Sequence, residues 1–195
     1  MKVFAQTISF IFNPLTVILF APFILVYRTT HDVDLAIYWS AYTLIFLMSL
    51  ALFAIIAVKK KIFTDLDISK REQRPLMFLV SLFFICAYIV SLFILHGPFI
   101  LYVLAISSML GISFVSVINR RIKASVHMAA ITALILPVAI SFGQYYLLLL
   151  FLLPLVGWAR IKTKRHTLPE VLVGSSVGGI LSLSVYIAIK VFFNK

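Results

Sequence analysis

Trp158-Ala-Arg-Ile-Lys-Thr-Lys-Arg-His-Thr-Leu-Pro-Glu170 is a polar island between two apolar runs, residues 144–158 and 169–193. Chain this charged does not sit in hydrocarbon, and the flanking runs are too apolar to stay in water. The island therefore reads as a loop at a membrane surface between two spans. Inside it the spacing is Arg160, five residues, His166, three residues, Glu170. A helix from His166 onward would set His166 and Glu170 on one face, an i,i+4 pair. A carboxylate that accepts from one imidazole nitrogen leaves the other basic and directed outward. Arg160 adds a planar fork of donors suited to phosphate. Together these groups make a kit for phosphoryl transfer.

The rest of the chain has the same membrane character. Of its 195 residues 63% are hydrophobic and only 12% charged, with a mean hydropathy of +1.14. A soluble domain of this length has no interior large enough for so much apolar surface. The fold expected is an all-α, polytopic membrane helix bundle. A net charge of +11 raises the question of nucleic acid. The basic residues lie in short loops between apolar runs, however, which is a topology signal, and no nucleic-acid partner is expected. The single cysteine, Cys86, lies in an apolar run and forms no internal disulfide. Only Lys2 precedes the first run and no small-residue cleavage site follows it, so a retained first helix is expected.

A span needs roughly 17–25 apolar residues to cross about 30 Å of hydrocarbon. Seven runs qualify or nearly so: 8–27, 35–58, 76–95, 98–118, 124–142, 144–158 and 169–193, the sixth being short. The expectation is thus six to seven transmembrane helices. Pro14 and Pro22 are expected to kink the first. Gly97-Pro98 and Gly143 are expected as tight turns.

Counting spans places the loops 59–75, 119–123 and 159–168 on one side of the membrane. With Lys2 they hold 14 of the 17 Lys and Arg residues, leaving Arg28, Lys190 and Lys195 opposite. Short basic loops stay cytoplasmic, so these loops are expected on the cytoplasmic side of the cell membrane. His127 and His166 fall on this basic side, and His31 and His96 on the other.

Two further stretches on the basic side carry candidate chemistry. Ser69-Lys-Arg-Glu-Gln-Arg-Pro75 reads as an anchor for anionic lipid, or as a phosphate ligand, Arg74 assisted by Lys70, held in place by Pro75. Arg120-Arg-Ile-Lys-Ala-Ser-Val-His127 opens the fifth run. There Ser125 offers a hydroxyl, Lys123 an ammonium, and the fresh helix N-terminus backbone donors for an anion. Thr167-Leu-Pro-Glu170 also fits a capping box, a structural account of Glu170 that leaves His166 and Arg160 unexplained. His166, Glu170 and His127 are conceivable metal ligands, but the surrounding cations oppose a dication, and no metal or cofactor is expected. Gly174-Ser-Ser-Val-Gly-Gly179 spaces small residues for close helix packing.

With these sites assembled, the chain resembles the type 2 phosphatidic acid phosphatase superfamily, membrane lipid phosphatases related to vanadium haloperoxidases. That family carries Lys-x6-Arg-Pro, Pro-Ser-Gly-His and Ser-Arg-x5-His-x3-Asp motifs in this order. Arg74-Pro75 matches the end of the first, Ser125 and His127 the second, and Arg160, His166 and Glu170 the third. Asp67 stands in place of the first lysine, so Lys70 or Lys123 would substitute. Ala124, Val126 and Ala159 replace the family's proline, glycine and serine, and Glu170 its aspartate.

The resemblance covers roughly residues 59–185 of a single integral membrane domain, 1–195. It implies a metal-independent hydrolase acting on a lipid phosphate or prenyl diphosphate. His166 would be the nucleophile, Glu170 its orienting carboxylate and His127 the general acid and base. Arg74, Arg160, Lys70, Lys123 and Ser125 would bind phosphate. Two alternatives stay open: a magnesium-dependent membrane lipid transferase or prenyltransferase, for which Asp65 and Asp67 lie close together, and a degenerate family member that binds lipid without turnover.

Overall fold

The structure, a computed structural model, describes residues 1–141 and 144–193, and these are helical with no strand among them. Gly143 and Lys195, the one an expected turn and the other an expected external terminus, lie outside the described residues. The helices are α1 (Lys2–Ile11), α2 (Pro14–Thr30), α3 (Val33–Lys59), α4 (Arg74–Ile94), α5 (Phe99–Ile118), α6 (Val126–Ser141), α7 (Leu152–Lys162) and α8 (Leu168–Phe193). Short 3-10 segments at Arg71–Gln73 and Gln144–Phe151 lead into α4 and α7.

Four stretches among the described residues are long and apolar enough to cross a membrane: Val33–Lys59, Arg71–Ile94, Phe99–Ile118 and Tyr145–Lys162. No more than 22% of any of their apolar windows is buried inside the protein, so their outer faces are made for lipid. This is fewer than the six to seven expected, and part of the difference has a local cause. The first run is not one kinked helix, because it breaks at Phe12–Asn13 and Pro14 opens a new helix. A proline donates no backbone N–H, so it starts a helix more readily than it continues one. Pro22 lies inside α2, as expected. The 16 residues of α6 extend about 24 Å at 1.5 Å each, short of a full crossing. The sixth run gains reach from its eight-residue 3-10 segment, which rises about 2.0 Å per residue.

By contact the chain forms two compact units, Met1–Val17 with Val117–Lys195, and Ile18–Ser116. In the second unit Asp32 caps α3 by accepting the Leu35 N–H at 2.9 Å. Trp39, Tyr88, Leu92, Leu101 and Ala105 form its apolar core, and a Thr43–Tyr88 hydroxyl pair at 2.7 Å satisfies the buried phenol. The turn after α4 holds His96 in the left-handed region (φ 52°) rather than Gly97. Gly97 is required for space, because a Cβ there would lie 2.6 Å from Leu92 Cδ2 and 3.1 Å from Trp39.

In the first unit α8 packs along α6 and α1 packs on α7. A Cβ at Gly174 would collide with the Ser125 carbonyl, and one at Gly178 with the Ala129 carbonyl. The two helices therefore meet backbone to backbone, the purpose of the glycine spacing in a medium where apolar contact alone drives no association. Met128, Ile131, Val156, Ala159 and Val171 fill the interior with Ala5 and Ile8 of α1.

Candidate active site

The polar island folds into a tight reversal between α7 and α8. The Lys164 N–H donates to Ile161 O at 2.9 Å and the Arg165 N–H to Arg160 O at 3.1 Å, the two bonds of a Schellman motif. Lys164 occupies its left-handed position (φ 57°) where glycine is usual, a cost of about 1 kcal/mol or more. The reversal brings His166 back against α7, with its N–H on Arg160 O at 3.3 Å.

Helix α8 begins at Leu168, two residues later than a helix from His166 would, yet the pair is made: His166 Nδ1 lies 2.9 Å from Glu170 Oε2. The same oxygen accepts the Thr167 N–H at 3.1 Å, one half of a capping box. Glu170 thus does structural work and orients the imidazole together. Its side chain is 18% exposed and that of His166 only 1%.

Arg160 is 1% exposed and reaches two groups with one terminal nitrogen. Its Nη1 donates to Ser9 Oγ of α1 and lies 3.4 Å from His127 Nε2 in the first turn of α6. A guanidinium only donates, so the second contact is a hydrogen bond when that imidazole nitrogen is unprotonated. Ser125, just before α6, is fully buried, and its hydroxyl finds no hydrogen-bond partner among the described residues. Its N–H donates to Glu170 O at 3.0 Å, which ties the start of α6 to the first turn of α8. Lys123 Nζ donates to Arg165 O at 2.9 Å, so this lysine clasps the two loops.

The first unit therefore gathers Lys123, Ser125, His127, Arg160, His166 and Glu170, from segments far apart in sequence. Its chain carries ten Lys and Arg residues (Lys2, Arg120, Arg121, Lys123, Arg160, Lys162, Lys164, Arg165, Lys190, Lys195) against one acidic residue, Glu170. Such a unit attracts anions. Among the described residues no group of three or more His, Cys, Asp or Glu is placed to hold a metal ion.

Lys70 and Arg74 belong to the second unit. Arg74 is 4% exposed and its Nε donates to Ile68 O at 3.1 Å. Ile68 itself has φ 47°, an unfavourable left-handed conformation for a β-branched residue, and its N–H donates to Asp65 O at 3.0 Å. The loop is thus folded and strained where it holds this arginine. Phe63 and Ile68 anchor it beneath Phe53, Val58 and Met77.

Ser9 is the polar contact that motif spacing does not reveal, because its partner lies 151 residues away. The available signal is a hydroxyl four residues after Ala5, on the face of the helix that Ala5 and Ile8 bury. Comparison with protein-family models, curated proteins and solved structures returned no match to this chain.

Proposed function

We propose that the first unit houses the phosphoryl-transfer centre of a multi-pass membrane lipid phosphatase, as the resemblance to the type 2 phosphatidic acid phosphatases implies. One observation carries this reading: the buried Arg160 guanidinium lies beside His127 Nε2, and the reversal that follows Arg160 ties the His166 backbone N–H to the Arg160 carbonyl. A phosphate held by that guanidinium would meet His127 as the candidate acid, with His166 as the candidate nucleophile on the adjoining turn.

In the first step His166 Nε2, left unprotonated because Glu170 takes the Nδ1 proton's hydrogen bond, attacks phosphorus. The bond to the leaving oxygen breaks, and His127 supplies that oxygen with a proton. His127 acts in this step with its imidazole protonated. In the second step His127 takes a proton from water, the oxygen attacks phosphohistidine, the P–N bond breaks and His166 is restored. Arg160 and the buried Ser125 hydroxyl stabilise charge on the phosphoryl oxygens.

The substrate class is a lipid phosphate or prenyl diphosphate, whose chain remains among the spans while its headgroup meets the site. The basic loops put this face toward the cytoplasm of the cell membrane, with six to seven crossings in all. Release of inorganic phosphate from a panel of lipid phosphates and prenyl diphosphates, by purified protein in EDTA, is the test. Turnover supports the reading. Turnover restored only by magnesium indicates the transferase class, and vanadate binding without turnover a non-catalytic lipid binder.

A further inference from the structure

Helix α1 takes no part in the chemistry just described, yet it contributes a ligand to its central arginine. It is ten residues long, about 15 Å, and too short to cross a membrane. One face is buried through Ala5, Ile8 and Ser9, at the i, i+3, i+4 spacing of a helix stripe. The opposite face exposes Val3, Phe4, Phe10 and Ile11, suited to the lipid boundary. Phe4 also meets Trp158 on α7, ring centroids 6.2 Å apart, two residues before Arg160.

Ser9 differs from several other helix hydroxyls among the described residues. Thr7, Ser40, Ser49, Ser107 and Ser113 turn back to the carbonyl four residues earlier in their own helix. Ser9, only 8% exposed, accepts instead from Arg160 of another helix. A guanidinium carries five N–H donors in one plane. A hydroxyl on one arm fixes that plane without exhausting the fork, and a fixed fork recognises phosphate better than a mobile one.

Resting on the phosphatase reading, we infer that Ser9 is a positioning residue for phosphate, and that α1 is a working part of the site rather than a leader to the first span. Ser9 acts through Arg160 and touches no reacting atom. Loss of its hydroxyl frees the guanidinium to rotate and weakens every state in which the phosphoryl group is charged.

The test is Ser9→Ala beside Ser9→Thr in the full-length protein, read by kcat/KM for phosphate release, by the vanadate inhibition constant and by thermal stability. Ser9→Ala is expected to lower kcat/KM about tenfold and to raise the vanadate constant by a similar factor, the size of a lost hydrogen bond to a charged group. Thermal stability falls only slightly, and Ser9→Thr restores both constants. Wild-type turnover with both constants unmoved in Ser9→Ala overturns the Ser9 role alone. So does a fall in stability with an unmoved vanadate constant, which marks a packing residue. Higher turnover in Ser9→Ala also overturns it, because α1 would then be an inhibitory cover. Absence of wild-type turnover removes the phosphatase reading, and the Ser9 role with it.

Discussion

Glu170 Oε2 lies 2.9 Å from His166 Nδ1 and 3.1 Å from the Thr167 N–H. One oxygen starts α8 and aims the imidazole, so the two functions separate only under substitution. Glu170→Gln keeps an acceptor for Thr167 but removes the charge that stabilises the phosphoimidazolium formed in the first step. Turnover is expected to fall at least about 10²-fold with little change in melting. Glu170→Ala loses both, with an added capping cost of about 1 kcal/mol. Phosphate release and thermal unfolding of the two variants check this, and equal activity in wild type and Glu170→Gln would contradict it.

His166→Asn is expected to abolish turnover while leaving expression and folding intact. His127→Asn is expected to be severe for alkyl phosphates, about 10²–10⁴-fold, and milder for an activated aryl phosphate whose departure needs little protonation. Equal losses on both substrates would remove His127 from the acid role.

Vanadate, which takes the pentacoordinate shape of a phosphoryl-transfer transition state, is expected to inhibit competitively. EDTA is expected to leave activity unchanged. Inhibition by EDTA that magnesium or zinc reverses would point to a metal-dependent mechanism instead.

Gly174→Ala forces its Cβ against the Ser125 backbone, with Ser125 C and N each 3.1 Å from the ideal position. Overpacking of this kind costs about 1–3 kcal/mol, and the strain falls on Ser125, two residues before His127. Thermal stability and turnover are both expected to drop. Gly179→Ala, whose Cβ would meet Leu136 and Thr132 at an ordinary 3.6 Å, is expected to be tolerated.

For orientation, single cysteines at Lys60 and Lys195 in a Cys86→Ser background are labelled on intact cells with an impermeant thiol reagent. Fourteen basic residues against three favour a cytoplasmic position 60 and an external position 195. Setting aside Arg74, Arg160 and two lysines as possible phosphate ligands still leaves ten against three. Labelling at 60 and not at 195 would invert the orientation.

The helical membrane character and the His166–Glu170 pair were legible in the sequence, because hydropathy and an i,i+4 interval are both local. Helix breaks were less so. Pro14 reads equally well as a kink or a start, and only the packing of α1 on α7 decides for the start. The sixth run looked too short, since residue counts assume α-helical rise and a 3-10 segment is longer per residue. Lys61, His96 and Lys164 hold left-handed turn positions where sequence reasoning looks for glycine. The contact between Ser9 and Arg160 was beyond reach, because no periodic signal joins residues so distant.

The clasp of α6 and α8 at Gly174 and Gly178 has a consequence for how such a site diversifies. Ser125 and His127 ride on one helix, Glu170 on the other, and no side chain at the two glycine contacts stands between their backbones to be enlarged or trimmed. Gradual retuning by side-chain size is therefore blocked along that seam. On the phosphatase reading, adaptation to a bulkier or slimmer lipid would fall to elements such as α1 and α7, whose contact is made by replaceable side chains such as Phe4, Ile8 and Trp158. The clasped pair would preserve the chemistry through such change, and the N-terminal helix would be the quickly varying margin of the site.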